Sequence, residues 1–184
     1  MIDVADSPYK TLSTKTVYKN PWIEVEENQI VHPDGHKGVY SVVKTNDSVV
    51  IIPVNTNGEI FLIQSFSYPG QKWHWELPAG GSDGEDYITA SKRELQEETG
   101  ISAKHWEQIG LARPMDGVMP ERTAVLLATN LDLSNPNSDE DTIKGRKFFT
   151  LNQINDMVLD GTIDEGITIT ALHYYELHCE RSTT

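Results

Sequence analysis

The middle of this chain offers one clear helical window, residues 86–99, with extended segments on both sides of it. That arrangement excludes the regular strand–helix alternation of a doubly wound sheet and predicts a mixed α/β sandwich. Residues 9–19 and 23–31 read as strands, interrupted by Asn20-Pro21. A turn at His32-Pro33-Asp34-Gly35 leads to strands at 38–44 and 48–54, and an Asn57-Gly58 turn signal returns the chain as a strand over 59–66. Further strands are expected at 103–112 and 123–131, with a shorter one at 147–151. Two C-terminal helices follow. The first spans 151–160 with Thr150 or Asn152 near its start, and the second spans 162–179 with Ile167, Ile169, Leu172, Tyr175 and Leu177 as apolar positions.

The mid-chain helix carries Glu94, Glu97 and Glu98. On an α-helix Glu94 lies about 60° and about 40° around the axis from its two partners, so the three acids share a face. Like charges that close repel one another unless something positive sits among them. Clustered oxygen ligands suit a hard divalent cation, Mg2+ or Mn2+, better than zinc, which prefers histidine or cysteine. The bland alternative is a solvated helix face in an acidic protein. Four features weigh against it. Ile88 and Leu95 nearly coincide in angle and commit a different face to the core, and Ala90 places a small residue on the carboxylate side. Pro78-Ala79-Gly80-Gly81 supplies a low-bulk turn just ahead of the helix, and Arg93 stands four residues before Glu97, where a charge-assisted bond would orient it.

The chain has 184 residues, enough for one sizeable core, with 28 acids against 15 bases for a net charge of -13. Such a surface argues against nucleic-acid binding, although a bound divalent cation would invert the local potential for an anionic substrate. The single cysteine, Cys179, is expected to be a buried or half-buried thiol in a reducing compartment. No apolar run approaches the roughly 18 residues of a membrane span and no signal-like segment opens the chain, so the expectation is a cytoplasmic protein without a membrane partner. Residues 132–146 are polar and read as an exposed loop whose Asp139, Glu140 and Asp141 are in a position to bring acids over a substrate.

The stretch from Gly80 to Ile101 resembles the Nudix box: glycine, five residues, glutamate, seven residues, then Arg-Glu-aliphatic-any-Glu-Glu-any-Gly-aliphatic. Arg93-Glu94-Leu95-Gln96-Glu97-Glu98-Thr99-Gly100-Ile101 matches its second half, and Glu85 precedes Arg93 by the required interval. One departure is a loop shortened by a residue between Gly80 and Glu85, which leaves the helical acids in register. Residues 17–35, 63–80 and 139–176 resemble the ADP-ribose pyrophosphatase branch. Two further departures bear on substrate. Gln64 is followed by Ser65-Phe66 where the branch usually has an arginine, and residues 114–121 replace its usual proline-glycine turn.

The resemblance implies an α+β fold, a Nudix-like α/β/α sandwich with a mixed central sheet and a short N-terminal β extension. It divides the chain into a dimerising extension over residues 1–40 and a hydrolase domain over 41–184. It further implies Mg2+-dependent hydrolysis of ADP-ribose or another nucleoside diphosphate sugar, in a homodimer whose N-terminal strands help build the partner's site. Glu94 and Glu98 are expected as principal metal ligands, with Glu97 shared and the Ala79 or Gly80 carbonyl completing part of the shell. Arg93 positions Glu97, and Glu140 is the remote carboxylate that helps deprotonate or orient the water. Glu121 is a further candidate for that role, or instead for binding metal or fixing the loop before 123–131. Arg113 and Arg122 are the candidate phosphate or ribose contacts unless they form surface pairs. Trp22 either caps a core or stacks on the base. His74, between Trp73 and Trp75, reads as a wall or hydrogen-bonding residue. A dinucleotide substrate is an alternative. A non-catalytic nucleotide sensor would call for a missing box glutamate or a helix-turn-helix extension, and neither is present.

Overall fold

A computed structural model describes residues 7–134 and 142–182. The elements are β1 (Lys10–Lys19), β2 (Glu24–Val31), β3 (Lys37–Lys44), β4 (Ser48–Pro53), β5 (Ile60–Ser67), β6 (Lys72–Glu76) and β7 (Ala79–Gly81). Then come α1 (Tyr87–Thr99), β8 (Ser102–Ala112), β9 (Thr123–Asp132), β10 (Ile143–Phe149), α2 (Leu151–Leu159) and α3 (Gly166–Ser182). They form two compact units, one of residues 1–46 with 115–121, the other of residues 47–114 with 122–184.

The larger unit is an α/β/α sandwich. Its four-stranded sheet has the order β7-β4-β9-β8, and a three-stranded sheet has the order β10-β5-β6. The β4–β9 pair is parallel and the other ladders are antiparallel, so the central sheet is mixed. The run Val49-Val50-Ile51-Ile52 on β4 is wholly buried because both of its faces are covered. Val49 and Ile51 pack with Ala90 and Leu95 of α1, while Val50 and Ile52 pack with Ile154 of α2 and Leu172 of α3. β5 and β9 divide their side chains between the same two cores, with Ile63 and Leu126 on the α1 side and Leu62 and Val125 on the other.

The smaller unit is built on the antiparallel sheet β1-β2-β3. Every residue of β1 is exposed, including Leu12, Val17 and Tyr18.

The structure departs from the sequence-based expectations at several points. Ile88 is 39% exposed, whereas Leu95 is fully buried, so α1 turns Ala90, Ser91, Leu95 and Thr99 into the protein and leaves Ile88 outside. Ala90 therefore packs in the core and opens no approach on the carboxylate side. Cys179 is exposed, near the end of a helix whose buried positions, Thr168, Ala171 and Leu172, lie in its first half. That helix starts at Gly166, later than expected, because the Glu165 side chain accepts the backbone N–H groups of Ile167 and Thr168 at 2.8 and 2.6 Å and marks its entry. Among the described residues, no helix is long and apolar enough to cross a membrane.

Candidate active site

Asp86 accepts the Thr89 amide at 3.1 Å and starts α1, and Gly100, at φ 70°, ends it in the left-handed conformation. β7 pairs with β4 through Val50↔Ala79 and Val49↔Gly80, which brings the Pro78–Gly81 turn alongside the helix. The Ala79 amide donates to Glu98 Oε2 at 3.0 Å. A Cβ on Gly80 would lie 2.1–2.3 Å from the Glu94 carboxyl group, so only glycine admits that side chain where it stands. Two carboxylates of the helix thus lie against the backbone of the turn, each through a different contact.

Arg93 joins the helix to the loop before it. Its Nε donates to Glu85 at 3.0 Å, its Nη1 to Glu94 at 2.7 Å and Glu97 at 3.2 Å, and its Nη2 to the Gly81 carbonyl at 2.8 Å. Hydrogen bonds to Glu85 and Glu94 hold its guanidinium firmly charged. Burial pushes the Glu94 carboxyl above its ordinary value, the Arg93 bond opposes this, and the charges of Glu97 and Asp83 add to it. Arg93 thus contacts Glu94 as well as Glu97, rather than Glu97 alone. With the guanidinium between them, the carboxylates do not all converge: among the described residues, no group of three or more acids, histidines or cysteines is placed to hold a metal together. The donor set nevertheless fits a hard divalent cation, since Glu94, Glu98 and the carbonyls of Ala79 and Gly80 offer oxygen alone.

The remaining candidates lie as follows. Arg122 is paired with Asp47, its Nη2 donating at 2.7 Å and its Nε at 3.1 Å, which realises the surface pair left open by the sequence. Tyr87 donates to the same carboxylate at 2.7 Å. Glu121 accepts from Thr45 at 3.3 Å. Arg113 is exposed. Trp22 is 78% exposed in the β1–β2 turn, where Asn20 Oδ1 accepts the amides of Trp22 and Ile23, so it caps no core in this chain. Glu140 lies outside the described residues.

The structure adds a feature that sequence reasoning left unassigned. A cavity of about 480 Å3 in the larger unit is lined by Ala79 and Gly80 together with Ser65, His74, Glu76 and Glu165. Glu76 Oε2 lies 3.1 Å from His74 Nε2, and Ser65 donates to the other oxygen. Burial raises the Glu76 carboxyl above its ordinary value, against the Ser65 bond and the charge of His74 and with the charge of Glu165. The sequence signals pointing here are the Trp73/Trp75 alternation on β6 and His74, read as a wall or hydrogen-bonding residue, which does line the cavity. Pairing of Ser65 with His74 and of Ile63 with Glu76 across the ladder was not readable from them.

The site is thus an oxygen-rich helix locked by an arginine to a glycine turn, on a mixed-sheet sandwich. Comparison with known proteins names the class. The NUDIX domain matches residues 44–169, and the nucleoside diphosphate sugar hydrolase N-terminal domain matches residues 9–43. The chain belongs to the Nudix family and carries its hydrolase domain. It is 29% identical over 130 residues to an ADP-ribose pyrophosphatase of Mycobacterium tuberculosis, covering 70% of this chain and 63% of that protein. It is 26% identical over 171 residues to an ADP-ribose pyrophosphatase of Bacillus subtilis, covering 91% and 92% of the two chains. In fold it matches the crystal structure of an ADP compounds hydrolase with a TM-score of 0.84 at 19% identity, over 95% of each chain.

Proposed function

We propose that this protein hydrolyses the diphosphate bond of ADP-ribose or a closely related nucleoside diphosphate sugar, giving a nucleoside monophosphate and a sugar phosphate. The observation that carries the proposal is the placement of Glu94 on Gly80 and Glu98 on the Ala79 amide, inside a sequence that matches the Nudix box. Two similar proteins that are ADP-ribose pyrophosphatases support the substrate class.

In this reading Glu94 and Glu98 hold Mg2+, for which Mn2+ substitutes, with Glu97 as a shared ligand and a carbonyl of Ala79 or Gly80 nearby. When bound, the cation neutralises diphosphate charge and acts as a Lewis acid toward its oxygens. Arg93 keeps Glu94 and Glu97 oriented, and Glu140 accepts a proton from the attacking water. Trp22 stacks on the base, from this subunit or its partner in a homodimer, Arg113 contacts phosphate or ribose, and Glu121 fixes the preceding loop. The compartment that fits this chemistry is the cytoplasm.

A second reading, the same chemistry on another nucleoside diphosphate sugar or a dinucleotide, is favoured by one observation. At the position where the related branch usually has an arginine shortly after Gln64, this chain has Ser65-Phe66, and Ser65 Oγ donates to Glu76.

Incubating the purified protein and Mg2+ with a panel of nucleoside diphosphate compounds, followed by product identification, separates the two readings. Glu98→Gln should lose most activity at limiting Mg2+ while staying folded; wild-type turnover in that variant would overturn the assignment. Glu140→Gln should lower kcat far more than it changes KM. An unchanged kcat would move the water-orienting role to Glu121 or Asp139.

A further inference from the structure

The cavity beside the glycine turn has a lining whose charge is out of keeping with a site for phosphate esters. Ala79 and Gly80 form one wall, the same two residues that meet Glu98 and Glu94. A diphosphate seated at the helix would therefore have this space next to it. The facing walls carry the Glu76 and Glu165 carboxylates and His74, and none of the lining residues is an arginine or lysine. At the rim, Lys72 is ion-paired with Asp164. Glu76 is held from two sides, by Ser65 and His74, in a position where its side chain is 21% exposed. Glu165 is fixed by the amides at the start of α3.

On these grounds we infer that Glu76, assisted by Glu165, sets the charge specificity of this cavity: it accepts a distal sugar bearing hydroxyl or amine groups and discriminates against one bearing a negative charge. The inference rests on the proposed hydrolysis of nucleoside diphosphate sugars and adds which of them fit. The carboxylates are fixed acceptors for hydroxyl and ammonium donors, whereas an added carboxylate on the sugar would enter a site already carrying two carboxylates, with no arginine or lysine among its described lining residues. Discrimination of this kind comes from the repulsive element as much as from the attractive one.

The test uses ADP-glucosamine, ADP-glucose and ADP-glucuronate, which share a nucleoside and diphosphate and differ in the charge of the sugar. For the full-length protein with Mg2+ at pH 8, kcat/KM should fall at least tenfold from glucose to glucuronate, with glucosamine at or above glucose. In Glu76→Gln the glucose-to-glucuronate ratio should shrink severalfold, and Glu165→Gln should shrink it less. Because the comparison is a ratio within each variant, a partly folded preparation lowers all three rates and leaves the ratio readable. Calorimetric titration of the same compounds reads the cavity without turnover. If nothing is hydrolysed but binding keeps the order, the reaction assignment fails and the cavity assignment stands. Equal wild-type preference for all three, a ratio unchanged in Glu76→Gln, or no binding of any of them would overturn the inference.

Discussion

Gly80 and Glu94 are matched to within the space of one methyl group. Alanine at position 80 would place its Cβ against the Glu94 carboxyl group, and the neighbour that must move is the far end of a flexible side chain. Gly80→Ala should therefore cost stability little, under about 1 kcal/mol, while displacing a proposed metal ligand. Mg2+ dependence of activity checks this: the concentration for half-maximal rate should rise at least tenfold while the melting temperature shifts by only a few degrees. Arg93 is the opposite case, because several acids depend on it. Arg93→Met leaves Glu85, Glu94 and Glu97 without their common donor and should destabilise the metal-free protein by about 2 kcal/mol in urea unfolding.

Glu76 offers a residue-scale test by pH. Burial holds its carboxyl above the ordinary value of 4.5, so the folded state binds this proton more tightly than the unfolded chain. Its contribution to stability is full below the unfolded value and is lost as pH rises through the higher folded value. His74 and Glu165 face the same carboxyl, and a glutamine there keeps the shape without the charge. Glu76→Gln should consequently gain stability relative to wild type between pH 4 and pH 8, measured by urea unfolding at both. A constant difference across that range would show that burial of the charge carries no net cost.

At the scale of elements, α1 owes its position to its two ends and one buried stripe. Gly100 adopts φ 70° and its amide bonds the Gln96 carbonyl, a conformation that costs a residue with a Cβ about 1 kcal/mol. Gly100→Ala should lower stability by about that amount. It should also loosen the Thr99–Ile101 corner, where Thr99 Oγ1 accepts the Ile101 amide at 3.0 Å. Thermal unfolding reads the first effect and amide hydrogen exchange at residues 96–101 the second. Three-residue β7 depends on its partner: Ala-Gly-Gly has no strand preference of its own, and pairing with the buried β4 alone makes it a strand.

At the scale of the molecule, the sheet β1-β2-β3 leaves apolar and aromatic groups in solvent on β1 and β3, among them Leu12, Val17, Tyr18, Val39 and Tyr40. A strand exposed along its whole length needs a neighbour to cover it, and a second copy of the chain supplies one in the proposed homodimer. Light scattering at micromolar concentration should report twice the 20.7 kDa chain mass. Removing residues 1–24 should abolish that association and weaken substrate binding; an intact dimer with full affinity would refute both roles of the segment.

Much of this architecture was legible before any coordinates. The apolar runs of β4, β5 and β9 are buried on both faces and announce themselves by composition, and α1 is bracketed by Asp86 and Gly100. The spacing of Arg93, Glu94, Glu97 and Glu98 is local chemistry, so their nearness on one helix followed from 3.6 residues per turn. What the linear pattern left undecided depends on long-range pairing. It could not distinguish Ile88 from Leu95, because equal angular position on a helix does not say how far the neighbouring sheet extends. Nor could it show Arg93 reaching back to Glu85 and the Gly81 carbonyl, or the β5–β6 ladder bringing Ser65 to Glu76. Those contacts join residues 8 to 12 positions apart through turns. Ladder register and loop path, set by the packing of the whole sandwich, decided them.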